Sequence, residues 1–189
     1  MKQNTKKLTL TALMTAFTCV ATMMIKIPTP TFGYIHLGDG LVLLSGIALG
    51  PLSGALAGGT GSMFADLFSG YVSFAPATFL IKALTAGAAG SLFHLLQNRM
   101  KPSARTQRIC VIAGGLAGEA IMVTGYFLYE AGVAAFGSGG FTQSALLAGI
   151  ASSAAGIPFN LLQGATGIVI SLVLLPILLK IPAIEQCAP

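Results

Sequence analysis

Charge is what this chain has least of. Ten Lys and Arg and five Asp and Glu make up 8% of its 189 residues, where an ordinary soluble domain carries about 25%. Trp is absent and Cys occurs three times. Cys19, Cys110 and Cys187 have no CxxC or metal-type spacing, so no zinc site or redox pair is expected. Cys19 and Cys110 fall in apolar runs and read as small hydrophobes. GxxxxGK[ST], HExxH and GxSxG are all missing, which removes a P-loop ATPase, a zinc protease and a serine hydrolase. No residue is assigned a catalytic role, and no metal or cofactor is expected in this chain.

What is present is apolar. Hydrophobic residues make up 54% of the chain, and the mean hydropathy is +0.85. At about 20 residues per membrane-spanning helix, the length suits about six spans in one integral membrane domain, residues 1–189. The net charge of +5 does not suggest nucleic acid, because the basic residues lack a polar, aromatic-rich surface around them. Anionic lipid headgroups are the simpler partner.

Hydropathy and turn residues divide the chain into helices at about 8–25, 40–49, 51–68, 77–97, 108–136 and 158–179. A shorter helix at about 142–154 is too short to span. It reads as a loop helix or as the first part of a long, broken final element. The run 8–25 exceeds the usual signal-peptide core of about 7–15 residues and reads as the first span. Lys2, Lys6 and Lys7, then Arg99, Lys101, Arg105 and Arg108, then Lys180 form three basic clusters. Six spans put all three on one side, so both termini are expected in the cytoplasm. Lys26 alone lies at the opposite end.

Helix rise places the remaining charges. Asp66 lies fifteen residues beyond Pro51, about 22 Å up the third helix. Lys82, Tyr126, Glu130, Asn160 and Gln163 fall near the same level, with His36 and Asp39 at the outer end of the second helix. Glu119 lies deeper, near the midplane. Charges inside a membrane are costly and are commonly functional. Together with Tyr34 these residues suggest an outward-opening pocket for a small polar ligand, with Tyr34, Phe74 and Tyr126 able to stack on a flat ring. Other readings stay open. Lys82 either faces the ligand or pairs with Asp66. Glu130 either faces ligand or sits in interfacial water. Glu119 is either a hydrogen-bonding group within the bundle or the pocket floor.

Small residues recur at spacing four: Ala12 and Ala16; Gly54, Gly58 and Ser62; Ala83, Gly87 and Ser91; Gly114 and Gly118. Such stripes let helices approach closely in lipid. Ala12 and Ala16, on the first helix, suit either internal packing or a partner subunit.

Six stretches carry a resemblance: Tyr34-Ile-His-Leu-Gly-Asp-Gly40; Leu49-Gly-Pro51; Gly58-Gly-Thr-Gly-Ser-Met-Phe-Ala-Asp-Leu-Phe-Ser-Gly-Tyr71; Pro76-Ala-Thr-Phe-Leu-Ile-Lys82; Gly118-Glu-Ala-Ile-Met-Val-Thr-Gly-Tyr126; and Ile157-Pro-Phe-Asn-Leu-Leu-Gln163. Over nearly its whole length the chain resembles the substrate-binding S components of energy-coupling-factor (ECF) vitamin transporters, in the riboflavin, pyridoxine and hydroxymethylpyrimidine branch. The resemblance implies a six-helix bundle in a prokaryotic cell membrane that binds a vitamin from outside. The loop after the first helix is expected to close over the ligand. It further implies a transmembrane coupling subunit docking on Ala12 and Ala16, and two ATPase subunits that bind the ATP. The scarcity of aromatics favours a one-ring ligand, a B6 vitamer such as pyridoxine or a hydroxymethylpyrimidine, over riboflavin. The alternative, a structural or assembly membrane protein, predicts no cavity and a direct Asp66–Lys82 contact.

Overall fold

The computed structural model describes residues 2–31, 33–138, 140 and 142–182. Its helices are α1 (Lys2–Met24), α2 (Asp39–Leu49), α3 (Pro51–Phe68), α4 (Ala75–Gln97), α5 (Ala104–Gly137), α6 (Gln143–Ala154) and α7 (Ile157–Leu178). Two short strands, β1 (Lys26–Pro28) and β2 (Tyr34–His36), pair antiparallel between α1 and α2. The sequence reading made this stretch an ordered loop; it is a hairpin, with Lys26 opposite His36 and Pro28 opposite Tyr34.

Local chemistry explains the helix ends. Gly50 turns the chain between α2 and α3 at φ 84°, a left-handed conformation that favours glycine. Pro51, with no N–H to leave unpaired, opens α3. Ser103 caps α5 by accepting from Thr106 N at 3.0 Å, and Thr142 caps α6 by accepting from Ala145 N at 3.3 Å.

α2 is the axis of the bundle. Ten of its eleven residues are buried, as expected of a helix apolar on every side. α1, α3, α4 and α7 pack against it, and α5 packs between α4 and α7. α5 has 34 residues, about 51 Å at helical rise, well beyond a hydrocarbon core of about 30 Å. α6 folds back along this overhang, with Gly149 against the Ala131 carbonyl.

Glycines set the closest approaches. A Cβ on Gly46 of α2 would land on the carbonyl of Ala86, and one on Gly54 of α3 would land on the Gly46 backbone. Gly114 and Gly118 sit likewise against the α4 carbonyls of Ala89 and Thr85. On α4 the expected stripe is displaced. Gly90 meets the Gly46 backbone, whereas a Cβ on Gly87 would meet only ordinary contacts and Ser91 is exposed. Ala12 and Ala16 are exposed on α1.

Among the described residues, four helices are long and apolar enough to cross a membrane: Asn4–Met24, Ala75–Gln97, Ala104–Gly137 and Ile157–Leu178. α2 is apolar but short, and glycine-rich α3 is not among the four. The expected cytoplasmic C-terminus includes residues 183–189, which lie outside the described residues.

The two halves of the bundle differ. Met14, Leu44, Ile47, Leu49, Phe93, Val111 and Leu175 form an apolar core toward the Arg99–Arg108 end. The buried ionisable and amide side chains, His36, Asp39, Asp66, Lys82, Glu119, Glu130, Asn160 and Gln163, lie toward the hairpin end or mid-bundle.

Candidate functional site

The floor of the polar half is an ion pair. Lys82 Nζ on α4 bonds Asp39 Oδ1 at the start of α2, and neither side chain has any exposed surface. The expected Asp66–Lys82 alternative is therefore corrected: the partner of Lys82 is Asp39. Depth along an axis puts Asp66 level with Lys82 but does not say which way either side chain points. A buried pair holds only when its spare hydrogen-bonding positions are filled. Gln163 of α7 fills one, donating from Nε2 to Asp39 Oδ2 at 2.7 Å.

The same amide holds the hairpin. His36 N donates to Gln163 Oε1 at 2.8 Å, and Gly38 N donates to His36 Nδ1 at 3.0 Å. Burial, opposed by Asp39 and aided by Lys82 and Lys26, pushes the His36 imidazole down to about 4, so it is neutral at pH 7. On the other side of the hairpin the Tyr34 hydroxyl donates to Asp66 Oδ1 at 2.7 Å. Burial first, then the Asp66 carboxylate, raises the Tyr34 phenol well above its ordinary value. Lys26 donates to Ser69 Oγ at 2.6 Å and lies 5.6 Å from the centre of the Tyr34 ring. Lys26 thus ties the hairpin to the end of α3.

Under the hairpin is a cavity lined by residues of the hairpin, α3, α4, α5, α7 and the α3–α4 loop. Of the ten expected ligand residues, Tyr34, His36, Asp66, Tyr126, Glu130, Asn160 and Gln163 line it. Asp39 and Lys82 lie below, with the ammonium 5.2 Å from the Tyr126 ring centre. Glu119 is set apart. Its carboxylate rests against Gly164 and Gly167 of α7 and has no hydrogen-bond partner among the described residues.

Thr29, Gly33, Tyr71, Phe74 and Thr78 also line the cavity. Phe74 was expected to stack on a ligand; the other four were missed as site residues. Thr78 carried a signal, since it lies four residues before Lys82 on the same helix face. Tyr71 belongs to a ring cluster, 4.7 Å from Tyr34 and 6.3 Å from Phe74 between centroids.

The cavity is small, at ≈ 30 Å³, room for about two waters. Next to it a second cavity of ≈ 370 Å³ shares Phe74 and Glu130 and reaches Pro30, Thr31 and Ser153.

The candidate site is thus a polar cavity at one end of a helical bundle, capped by a hairpin. The sequence profile described as "ECF-type riboflavin transporter, S component" matches residues 2–180. The chain belongs to this family. A solved structure described as "Structure and mechanism of the S component of a bacterial ECF transporter" aligns with a TM-score of 0.62, covering 94% of this chain and 97% of that one. At 17% identity it supports the fold alone. A Pyrococcus woesei protein described as "Uncharacterized protein in gap 3'region" is 38% identical over 108 residues. That match covers 57% of this chain and 66% of the relative, just under two thirds of its length. Family membership makes this a transporter subunit of the membrane, not an enzyme by itself.

Proposed function

We propose that the chain captures a small, flat-ringed, water-soluble vitamin or precursor from outside a prokaryotic cell and delivers it inward with an ATP-driven module. The observation that carries this reading is the hairpin over a cavity of aromatic, amide and carboxylate side chains. Tyr34, Tyr71, Phe74 and Tyr126 supply faces for a ring, while Asn160 and Gln163 supply donors and acceptors for its edge. Asp39, Lys82 and Glu119 act from below the site. The binding-competent state opens from the ≈ 30 Å³ geometry by lifting the hairpin. Hinges of this kind are ordinary for capture sites.

The absence of Trp and the few aromatic rings near the cavity favour a one-ring ligand, such as a B6 vitamer or a hydroxymethylpyrimidine. A second reading, riboflavin, is favoured by the family's description. It requires the neighbouring ≈ 370 Å³ cavity to join the first past Phe74. The structural or assembly alternative expected no cavity and an Asp66–Lys82 contact, and neither feature is present.

The coupling partner is a transmembrane subunit seated on the exposed Ala12 and Ala16 face of α1, and two ATPases supply the ATP chemistry. Both termini and the three basic clusters then face the cytoplasm.

Isothermal titration of purified protein, without ATP, against pyridoxine, hydroxymethylpyrimidine, riboflavin and pantothenate tests the reading. Saturable one-to-one binding of one flat-ringed compound is expected. Binding of none, or of pantothenate alone, overturns it.

A further inference from the structure

Glu119 of α5 lies below the cavity, and the fold is cut to house it. The residue is 5% exposed, and both its carboxylate oxygens are buried without a hydrogen-bond partner among the described residues. A Cβ on Gly164 of α7 would lie 3.0 Å from Oε2, and one on Gly167 would lie 3.2 Å from Oε1. Both glycines therefore leave room for this carboxylate. The Gly167 position is also 3.0 Å from Asp39 Cβ, so the two acids are neighbours across one α7 residue.

Two acids thus share one cation. Asp39 of α2 and Lys82 of α4 are the charged groups that act on Glu119, and α7 faces it with Gly164 and Gly167. Lys82 carries three N–H donors and bonds Asp39. Asp39 also accepts from Gln163, whereas Glu119 accepts from nothing among the described residues. An ionised carboxylate in that position is an unpaired charge where water is excluded; a protonated one is not. Two carboxylates this close, with one counter-ion between them, hold one proton.

We propose that Glu119 is a proton-binding site and the second counter-ion of Lys82. The floor then has two arrangements of equal charge. In the one seen here Lys82 pairs with Asp39 and the proton is on Glu119. In the other, the proton has passed from a Glu119 oxygen to an Asp39 oxygen, and the ammonium has swung to Glu119. One O–H bond breaks and one forms. Two positive charges exchange places, so neither arrangement leaves a charge unpaired. Gln163 bonds an ionised Asp39 only in the first arrangement, and charge-assisted bonds are the stronger ones. The same amide holds His36, so the second arrangement loosens the hairpin. The exchange involves no ligand and does not depend on what occupies the cavity.

Infrared spectra of the full chain at pH 7 test it. The difference between the unaltered protein and Glu119→Gln isolates the Glu119 signal from that of other acids. The carbonyl band of a protonated carboxylic acid is expected; a carboxylate band overturns the proposal. Glutamine copies the neutral acid, so Glu119→Gln is expected to keep its thermal midpoint within about 2 °C. A variant that fails to fold counts against a neutral Glu119. Asp39→Asn removes the first counter-ion, so Lys82 is expected to pair with an ionised Glu119 and the protonated-acid band to vanish. A band that persists, or an Asp39→Asn protein that does not fold, overturns the exchange. Asp39→Asn with Glu119→Gln leaves Lys82 neither acid. Its midpoint is expected to fall at least about 5 °C further than the two single changes together. Failure of the double variant alone to fold gives the same answer, and additive losses overturn the pairing.

Discussion

Gln163 donates through Nε2 to Asp39 Oδ2 at 2.7 Å, while its Oε1 accepts from His36 N at 2.8 Å. One amide therefore connects the buried ion pair to the hairpin that covers the cavity. Changes in the floor are felt in the lid through this side chain. Gln163→Leu keeps the volume and removes both bonds, leaving two polar groups short of a partner. Each such loss costs about 1–3 kcal/mol. Hydrogen exchange at the His36 amide is expected to speed up, and ligand dissociation to quicken with it. Unchanged exchange at His36 would mean that the hairpin is held elsewhere.

Lys82 stabilises the fold first and the ligand second. Lys82→Ala leaves Asp39 as an uncompensated buried charge, at a cost of about 3–5 kcal/mol. A large drop in thermal midpoint in detergent is expected. Pairing Lys82→Met with Asp39→Asn removes both charges and is expected to recover most of that loss. A Lys82→Ala protein as stable as the original would contradict this role.

Asn160 is the cleaner probe of the site. It is buried at the cavity wall, and among the described residues no hydrogen bond from its side chain holds a neighbouring element. Asn160→Ala is expected to weaken ligand binding about tenfold, the size of one lost hydrogen bond to a bound molecule. Its thermal midpoint without ligand should move little.

Gly46 and Gly87 separate packing from pattern. Gly46→Ala drives a methyl into the Ala86 carbonyl of α4, and is expected to cost about 1–3 kcal/mol as an overpacked contact. Gly87→Ala meets only a contact at 3.7 Å and is expected to be neutral or slightly stabilising, because Ala favours helix over Gly. Thermal midpoints of the two variants measure this directly.

His36 gives a pH dependence of definite sign. Its imidazole is held down to about 4 from 6.5, so between those values the unfolded chain takes up a proton that the folded chain refuses. Stability from this group is therefore full above about pH 6.5, falls as pH drops toward 4, and is spent below it. Protonation at Nδ1 also removes the acceptor for Gly38 N. Thermal midpoints from pH 7 to 4 should fall more steeply in the original protein than in His36→Gln.

The helical architecture was legible because its punctuation is local. Pro51 after Gly50, Pro76 and Pro158 in the first turns of α4 and α7, and apolar runs between basic clusters mark helices without reference to anything distant. The level of the polar groups was legible too, since helix rise is constant. Rotation about the helix axis was not. Asp66 and Asp39 both lie at the hairpin end, and only packing around α2 turns Asp39 toward Lys82. The same blindness selected Gly87 over Gly90 as the close approach on α4. β1 and β2 escaped notice because three residues each, two of them Pro28 and Lys26, carry no strand periodicity. Among the site residues, Thr78 was recoverable from its spacing to Lys82. Gly33 and Thr29 were not, because the hairpin alone brings them to the cavity.

The central claim is that a flat-ringed vitamin occupies the space beneath the hairpin. Mass spectrometry of the small molecule that copurifies with the protein tests it most directly, with Asn160→Ala prepared in parallel. One flat-ringed heterocyclic vitamin or precursor per chain, depleted in Asn160→Ala, is the expected result. A compound without a flat heterocyclic ring, or equal occupancy in the variant, would contradict the account.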